Sequence, residues 1–218
     1  TNLITEDAGS YYFLSEILLD IALVEWEPAV DRCGTCRSCI DVCPTAAIVA
    51  PYVLDSRKCI SYLTIELKGV IPREYRKAIG NRIYGCDDCQ IVCPWNSFAI
   101  KTEDEAFRER EGTRQLIELM RLDDEGFRQR FRKSPIKRTK RRGLLRNVAV
   151  ALGNSGNSDA VGPLTDALSD AEPLIRAHAV WALGELLGEK VLPILDDKLT
   201  GETEEIVRTE VRHLPRGQ

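Results

Sequence analysis

The sequence predicts an α+β fold that is mostly α-helical, with a small cysteine-rich module followed by a longer array of paired helices. Two observations carry this. All eight cysteines lie between Cys33 and Cys93, in two groups that each end in Cys-Pro. Residues 141–213 repeat an apolar helical pattern with a period of about 30 residues. The strand-like stretches, 2–5 and 52–54, are short.

The first cysteine group reads Cys33-x2-Cys36-x2-Cys39-x3-Cys43-Pro44, and the second is Cys59 followed by Cys86-x2-Cys89-x3-Cys93-Pro94. The first run has the bacterial ferredoxin spacing, in which three cysteines hold one [4Fe–4S] cluster and the fourth ligates the other. With that crossover, Cys33, Cys36, Cys39 and Cys93 take the first cluster, and Cys43, Cys59, Cys86 and Cys89 take the second. Two intervening residues let successive thiolates wrap a compact cluster from one loop, and the longer step carries the fourth cysteine away. The following proline fixes φ, so the chain leaves the loop in a defined direction. Two other uses of eight cysteines compete. Disulfides suit a secreted framework, and no hydrophobic signal segment follows Thr1. Structural zinc on Cys33/Cys36 with Cys86/Cys89 would strand four cysteines.

Taken in order, residues 1–30 open with a short strand and a Tyr11–Leu19 stretch that reads as a buried strand or helix. A connection from Asp20 to Pro28 follows, with an exposed Trp26. The segment is too short to be a domain. Residues 31–99 form the ferredoxin-like two-[4Fe–4S] module, held largely by its metal because ligand loops have little core of their own. Within it, Ala46-Ala47-Ile48 reads as a helical turn and Tyr52-Val53-Leu54 as a strand. Residues 61–66 read as a helix ending at Gly69, and residues 72–79 as a second helix.

Residues 100–218 form a helical domain. Helices are expected over 103–110, 113–122 and 123–131, the last opened by acidic residues suited to a helix N-terminus. Ten Lys or Arg and no Asp or Glu then lie between Arg128 and Arg146. So many like charges repel unless an anion sits among them, and in a chain of net charge −4 the run reads as a nucleic-acid phosphate footprint. The segment from Arg146 to Gly153 recurs from Arg176 to Gly184, each followed by a second apolar segment, as in HEAT-like α-helical repeats.

Composition excludes other classes. With two histidines far apart, His178 and His213, a histidine metal site or catalytic triad is not expected. No run of about 18 apolar residues marks a membrane span, and no Gly-x-Gly-x-x-Gly or P-loop marks a nucleotide site. The residues alone thus describe a two-cluster electron relay fused to a basic helical arm. The runner-up is a stand-alone electron-transfer protein that docks a partner through its repeats.

Three longer stretches carry a resemblance. They are Cys33-Gly-Thr-Cys36-Arg-Ser-Cys39-Ile-Asp-Val-Cys43-Pro-Thr45, Cys59-Ile-Ser-Tyr-Leu-Thr-Ile-Glu-Leu-Lys-Gly69 and Gly80-Asn-Arg-Ile-Tyr-Gly-Cys86-Asp-Asp-Cys89-Gln-Ile-Val-Cys93-Pro-Trp-Asn96. Together with Ser134-Pro-Ile-Lys-Arg-Thr-Lys-Arg-Arg-Gly-Leu-Leu-Arg-Asn147, they resemble the epoxyqueuosine reductase family. The resemblance implies a cytoplasmic, monomeric oxidoreductase that reduces epoxyqueuosine to queuosine at the wobble position of tRNA, the final step of queuosine biosynthesis. Electrons from an external low-potential donor would pass through two [4Fe–4S] clusters to cobalamin. The family's corrinoid-binding α/β domain, with its proton-donating acid, has no counterpart before Thr1. Residues 1–30 resemble that domain's tail, so the chain is expected to be an inactive part of a longer enzyme with no assignable catalytic acid. Asp87 and Asp88 stand near the clusters without qualifying. By the resemblance, Ser61, Cys86 and Asp87 face the corrin, and Lys68, Arg76, Lys137, Arg138, Arg141, Arg142 and Arg146 contact tRNA.

Overall fold

The computed structural model describes residues 2–6, 8–24, 27, 29–99, 102–105 and 116–214. In chain order, the elements begin with α1 (Ser38–Val42), β1 (Ile48–Ala50) and β2 (Val53–Leu54). A π-helical turn (Tyr62–Glu66), α2 (Arg73–Ile79) and α3 (Asp88–Ile91) follow. Then come α4 (Leu116–Met120), α5 (Asp124–Arg130), α6 (Lys140–Ser155), α7 (Val161–Ala167), α8 (Pro173–Leu187), α9 (Leu192–Lys198) and α10 (Glu205–Arg212). No helix among the described residues is long and apolar enough to cross a membrane.

The chain forms two compact units, each drawn from two stretches: Thr1–Asp55 with Asp87–Arg108, and Ser56–Cys86 with Glu109–Gln218. Residues 56–86, which the sequence places within the 31–99 module and which carry Cys59 and Cys86 of the second cysteine group, therefore fold with the helical repeats instead.

In the first unit, β1 and β2 pair antiparallel, with Ile48 opposite Leu54 and Ala50 opposite Val53. The expected helical turn at Ala46–Ile48 is instead the approach to β1, because Ala46 adopts a left-handed φ of 48° that a right-handed turn cannot use. The opening strand is reduced to one bridge, Thr5 with Gly9. Gly9 is required there: its φ is +80°, and an added Cβ would fall on Asn96 Oδ1. Residues 11–19 are neither strand nor helix, and they are not buried. Phe13 is 96% exposed and Leu18 94%. Apolar character signals a demand for burial, and no described residue of this unit covers them. Trp26 lies outside the described residues.

The second unit has a continuous core around α6 and α8. From Gly143 to Gly153 every α6 residue is buried, because the helix is enclosed on all sides. The two helices approach closely at Gly153, where a Cβ would stand 2.8 Å from Ala182 Cα and 2.9 Å from the Trp181 ring. Leu144, Leu145, Val148, Leu164, Ile175 and Leu183 are fully buried, each contributing roughly 1.5–3 kcal/mol of transfer free energy. α5 starts where its acidic residues predict, with the Asp123 carboxylate accepting the Gly126 N–H at 2.7 Å. Of the helices expected over 103–122, residues 106–115 lie outside the described residues, and α4 falls within the second. The expected 61–66 helix is a π-turn, and α2 matches the 72–79 helix.

Candidate functional site

Cys33, Cys36, Cys39 and Cys93 line one cavity of the first unit, with Ser38, Arg32 and Trp95 at its wall. Local geometry shapes it. Asp31 accepts the Cys33 N–H at 2.8 Å, and Gly34, at φ +51°, turns the chain so that the Cys36 N–H reaches Cys33 O at 3.0 Å. The Cys93 side is tied down by Asn96. Its Oδ1 accepts the Ser10 N–H at 2.6 Å, and its Nδ2 donates to Ser10 Oγ at 2.9 Å and to Gln90 O at 2.5 Å.

The sulfurs sit among donors that favour thiolate. Ser38, through its hydroxyl and then its backbone N–H, holds the Cys36 thiol below its usual range. Burial pushes the Cys43 thiol up, but the Ala47 N–H, 3.3 Å away, and donors from Thr45 outweigh it, so it too falls below the usual range. Such donors suit cluster ligands, which bind as thiolates. All eight cysteines are free thiols. Among the described residues no group of His, Cys, Asp or Glu closes on one point as ligands of a single metal ion do. The four thiols line one cavity of the first unit.

Of the other four cysteines, Cys43 and Cys89 belong to the first unit and Cys59 and Cys86 to the second. Ser61 and Cys86, expected to face a corrin, are brought together. Ser61 Oγ accepts the Cys86 N–H at 3.0 Å and donates to Cys86 O at 3.2 Å. The one donor of this hydroxyl is thus committed to the protein. Asp87 immediately precedes α3, where its carbonyl accepts the N–H groups of Gln90 and Ile91.

The basic run divides sharply. Arg146 is 1% exposed. Its guanidinium donates to Leu67 O and Gly69 O at 2.7 Å, to Leu63 O at 2.8 Å and to Asn147 Oδ1. Burial, with the nearby Arg142 charge, brings its pKa down to about 10. Arg76 is fully buried and held bidentately by Glu210 at 2.6 and 3.0 Å. Arg141 is engaged with Asp170 and with Leu122 O at 2.7 Å. Two of these expected tRNA contacts are corrected: Arg76 and Arg146 are buried inside the fold, where a phosphate cannot reach them, whereas Arg141 is half-buried and keeps two N–H donors outside these bonds.

Lys68, Lys137 and Arg138 are exposed and Arg142 half-buried, although Arg138 pairs with Glu66 at 2.6 Å. Arg132, Lys133 and Lys140, outside the set expected to touch tRNA, are also exposed. Among the described residues no carboxylate pairs with Arg132, Lys133, Lys137, Lys140 or Arg142. Sequence reasoning also overlooks Asn147. The available signal is a polar pair, Arg146-Asn147, set between the apolar stretches Leu144-Leu145 and Val148–Leu152 of α6, where burial without partners is too costly to occur.

Comparisons with known proteins agree with this anatomy. Residues 32–96 match a 4Fe-4S double cluster binding domain, and residues 138–214 match HEAT repeats. The epoxyqueuosine reductase of Xanthomonas campestris is 48% identical over 188 residues, covering 85% of this chain and 53% of that protein. The Escherichia coli enzyme is 41% identical over 216 residues, covering 98% of this chain and 57% of that protein. A crystal structure of epoxyqueuosine reductase with an epoxyqueuosine-modified tRNA-Tyr stem loop superposes with a TM-score of 0.89 at 32% identity, over 97% of this chain and 57% of that one. The chain spans about half the length of the curated relatives it matches. On that similarity, carried across nearly its whole length, the chain belongs to the epoxyqueuosine reductase family.

Proposed function

We propose that this chain supplies the electron-relay and tRNA-holding parts of an enzyme that reduces epoxyqueuosine to queuosine at the tRNA wobble position. The observation that carries this is the presence, in one chain of this family, of a four-thiol cavity and a cluster of cations without carboxylate partners. The reaction takes two electrons and two protons, opens the epoxide, restores the double bond and releases its oxygen as water. Cys33, Cys36, Cys39 and Cys93 hold the first cluster, and Cys43, Cys59, Cys86 and Cys89 the second. Electrons enter from an external low-potential donor and leave one at a time. Cobalamin, when bound, supplies a strongly reducing cobalt centre. Ser61 has no hydroxyl proton left for a corrin amide, and no residue of this chain is assigned to protonate the departing oxygen.

Lys68, Lys133, Lys137, Lys140 and Arg142 bear on phosphates, which position the RNA, whereas sequence is read from unstacked loop bases. Replacing Lys133, Lys137 and Lys140 together by glutamine is expected to weaken tRNA binding. It should also lower the slope of log K against log salt by about 2, near 0.7 for each phosphate no longer neutralised. Arg128→Gln, which removes a cation already paired with Glu125, should leave the slope in place. An unchanged slope in the triple variant argues against this footprint.

The activity is tested on the full-length gene product, reconstituted anaerobically with iron, sulfide and cobalamin and supplied with a low-potential reductant. Incubated with tRNA bearing epoxyqueuosine and then digested, it should yield a nucleoside lighter by one oxygen. No change with both clusters intact and cobalamin bound would instead favour an electron carrier.

A further inference from the structure

The segment 56–86 carries two of the proposed second-cluster ligands, Cys59 and Cys86, yet has little core of its own. Buried polar side chains of the repeats hold it. Asn147 Nδ2 donates to Thr64 O at 2.7 Å and to Ile83 O at 2.9 Å, so one amide joins the stretch after Cys59 to the stretch before Cys86. Arg146 gathers three carbonyls, that of Leu63 within the π-turn and those of Leu67 and Gly69 just beyond it, where C=O groups left over by the turn attract a cation. Both residues are at most 1% exposed, and Asn147 Oδ1 ties them together by accepting from Arg146.

From these anchors the order passes to the cysteines through two hydroxyls. Thr64 Oγ1 donates to Ile60 O at 2.7 Å and accepts the Gly85 N–H at 2.9 Å. Ser61 Oγ clasps both backbone groups of Cys86, and the Leu63 N–H donates to Cys59 O at 2.9 Å. A ligand loop fastened this way has its thiols pre-positioned, as outer-shell partners of metal ligands commonly do.

We propose that Arg146 and Asn147, on the first HEAT helix, are positioning residues for the second [4Fe–4S] cluster, acting through Thr64 and Ser61 on the backbones of Cys59 and Cys86. This rests on the reading that Cys59 and Cys86 ligate that cluster. It gives the HEAT unit a role in the redox centre beyond holding RNA. The first cluster's ligands, Cys33, Cys36, Cys39 and Cys93, take none of these hydrogen bonds, so the effect is selective.

The test uses the full-length protein reconstituted anaerobically with iron and sulfide. Iron content, the electron paramagnetic resonance signals of the reduced clusters and their midpoint potentials are read for wild type, Asn147→Leu and Ser61→Ala. Wild type should bind about eight iron atoms per chain. Asn147→Leu, which leaves two buried carbonyls unpaired, should lose one cluster's signal and about half the iron, with the other signal unchanged. Ser61→Ala leaves the core intact and should keep both clusters but shift the potential of one. Should Asn147→Leu not fold, Ser61→Ala decides alone. Wild-type signals and potentials in Ser61→Ala overturn the proposal, and so does equal perturbation of both clusters. A wild type holding only one cluster, with about four iron atoms, would instead overturn the ligand reading beneath it.

Discussion

Glu210→Ala is expected to destabilise the helical unit by about 3–5 kcal/mol, the usual cost of removing one partner from a buried ion pair. The Glu210 side chain, 4% exposed, receives two bonds from Arg76 and a third from Arg73. Arg76 is itself inaccessible. Its Nε donates to Ile71 O at 2.8 Å, and its guanidinium lies 5.4 Å from the Trp181 ring centre. Removing the carboxylate therefore strands a cation that neither water nor another carboxylate can reach. The pair joins α10, the last described helix, to α2 in the segment that carries Cys86. Urea unfolding should show a lower midpoint with little change in slope. The double variant Arg76→Met with Glu210→Leu should recover much of the loss, because an apolar pair of similar volume leaves no buried charge. A loss below about 1 kcal/mol in Glu210→Ala would mean that the cation finds solvent.

Stability should also fall as pH drops below about 6.5, the ordinary histidine value, because of His178. This residue is fully buried. Its Nε2 accepts the Ile71 N–H at 3.2 Å, and its Nδ1 bonds Leu174 O at 2.8 Å, which fixes a neutral tautomer. Burial first, and then the Arg76 charge, push its pKa well below the ordinary value. The unfolded chain therefore takes up a proton at a pH where the folded chain does not. The folded state is undisturbed above about pH 6.5 and loses about 1.4 kcal/mol per pH unit below it, until the lowered folded pKa is reached. Asp170, Glu202 and Glu205, whose carboxyls are held below their usual range, contribute losses only at more acidic pH. Urea midpoints at pH 7.5 and 5.5 measure the effect. His178→Gln, which can keep both hydrogen bonds, should be nearly flat over that interval, and a wild type equally flat would contradict the assignment.

His178 and Asn147 also show the limit of reading this chain from its residues. Cysteine spacing depends on local backbone geometry, so the cluster motif, its ferredoxin-like order and the grouping of four thiols were legible from Cys33 to Cys93. The helical repeats were legible too, since a buried helix needs an apolar pattern and a close helix approach needs a small residue such as Gly153. Charge was less informative. Ten cations in sequence read as one anion-binding face, whereas folding withdrew Arg141 and Arg146 into hydrogen bonds and left Lys133, Lys137 and Lys140 exposed.

The stretch around Phe13 failed in the opposite sense, because apolar composition records a demand for burial and not its fulfilment. By itself, then, the sequence determined family, the iron–sulfur cluster-binding motif and the succession of cluster module and helical repeats. Only the tertiary structure decided which arginines are available to a phosphate, and that residues 56–86 fold with the repeats. The physical reason is that both depend on partners far apart in sequence: a buried charge is defined by the carbonyls or carboxylates that surround it, and no local pattern names them.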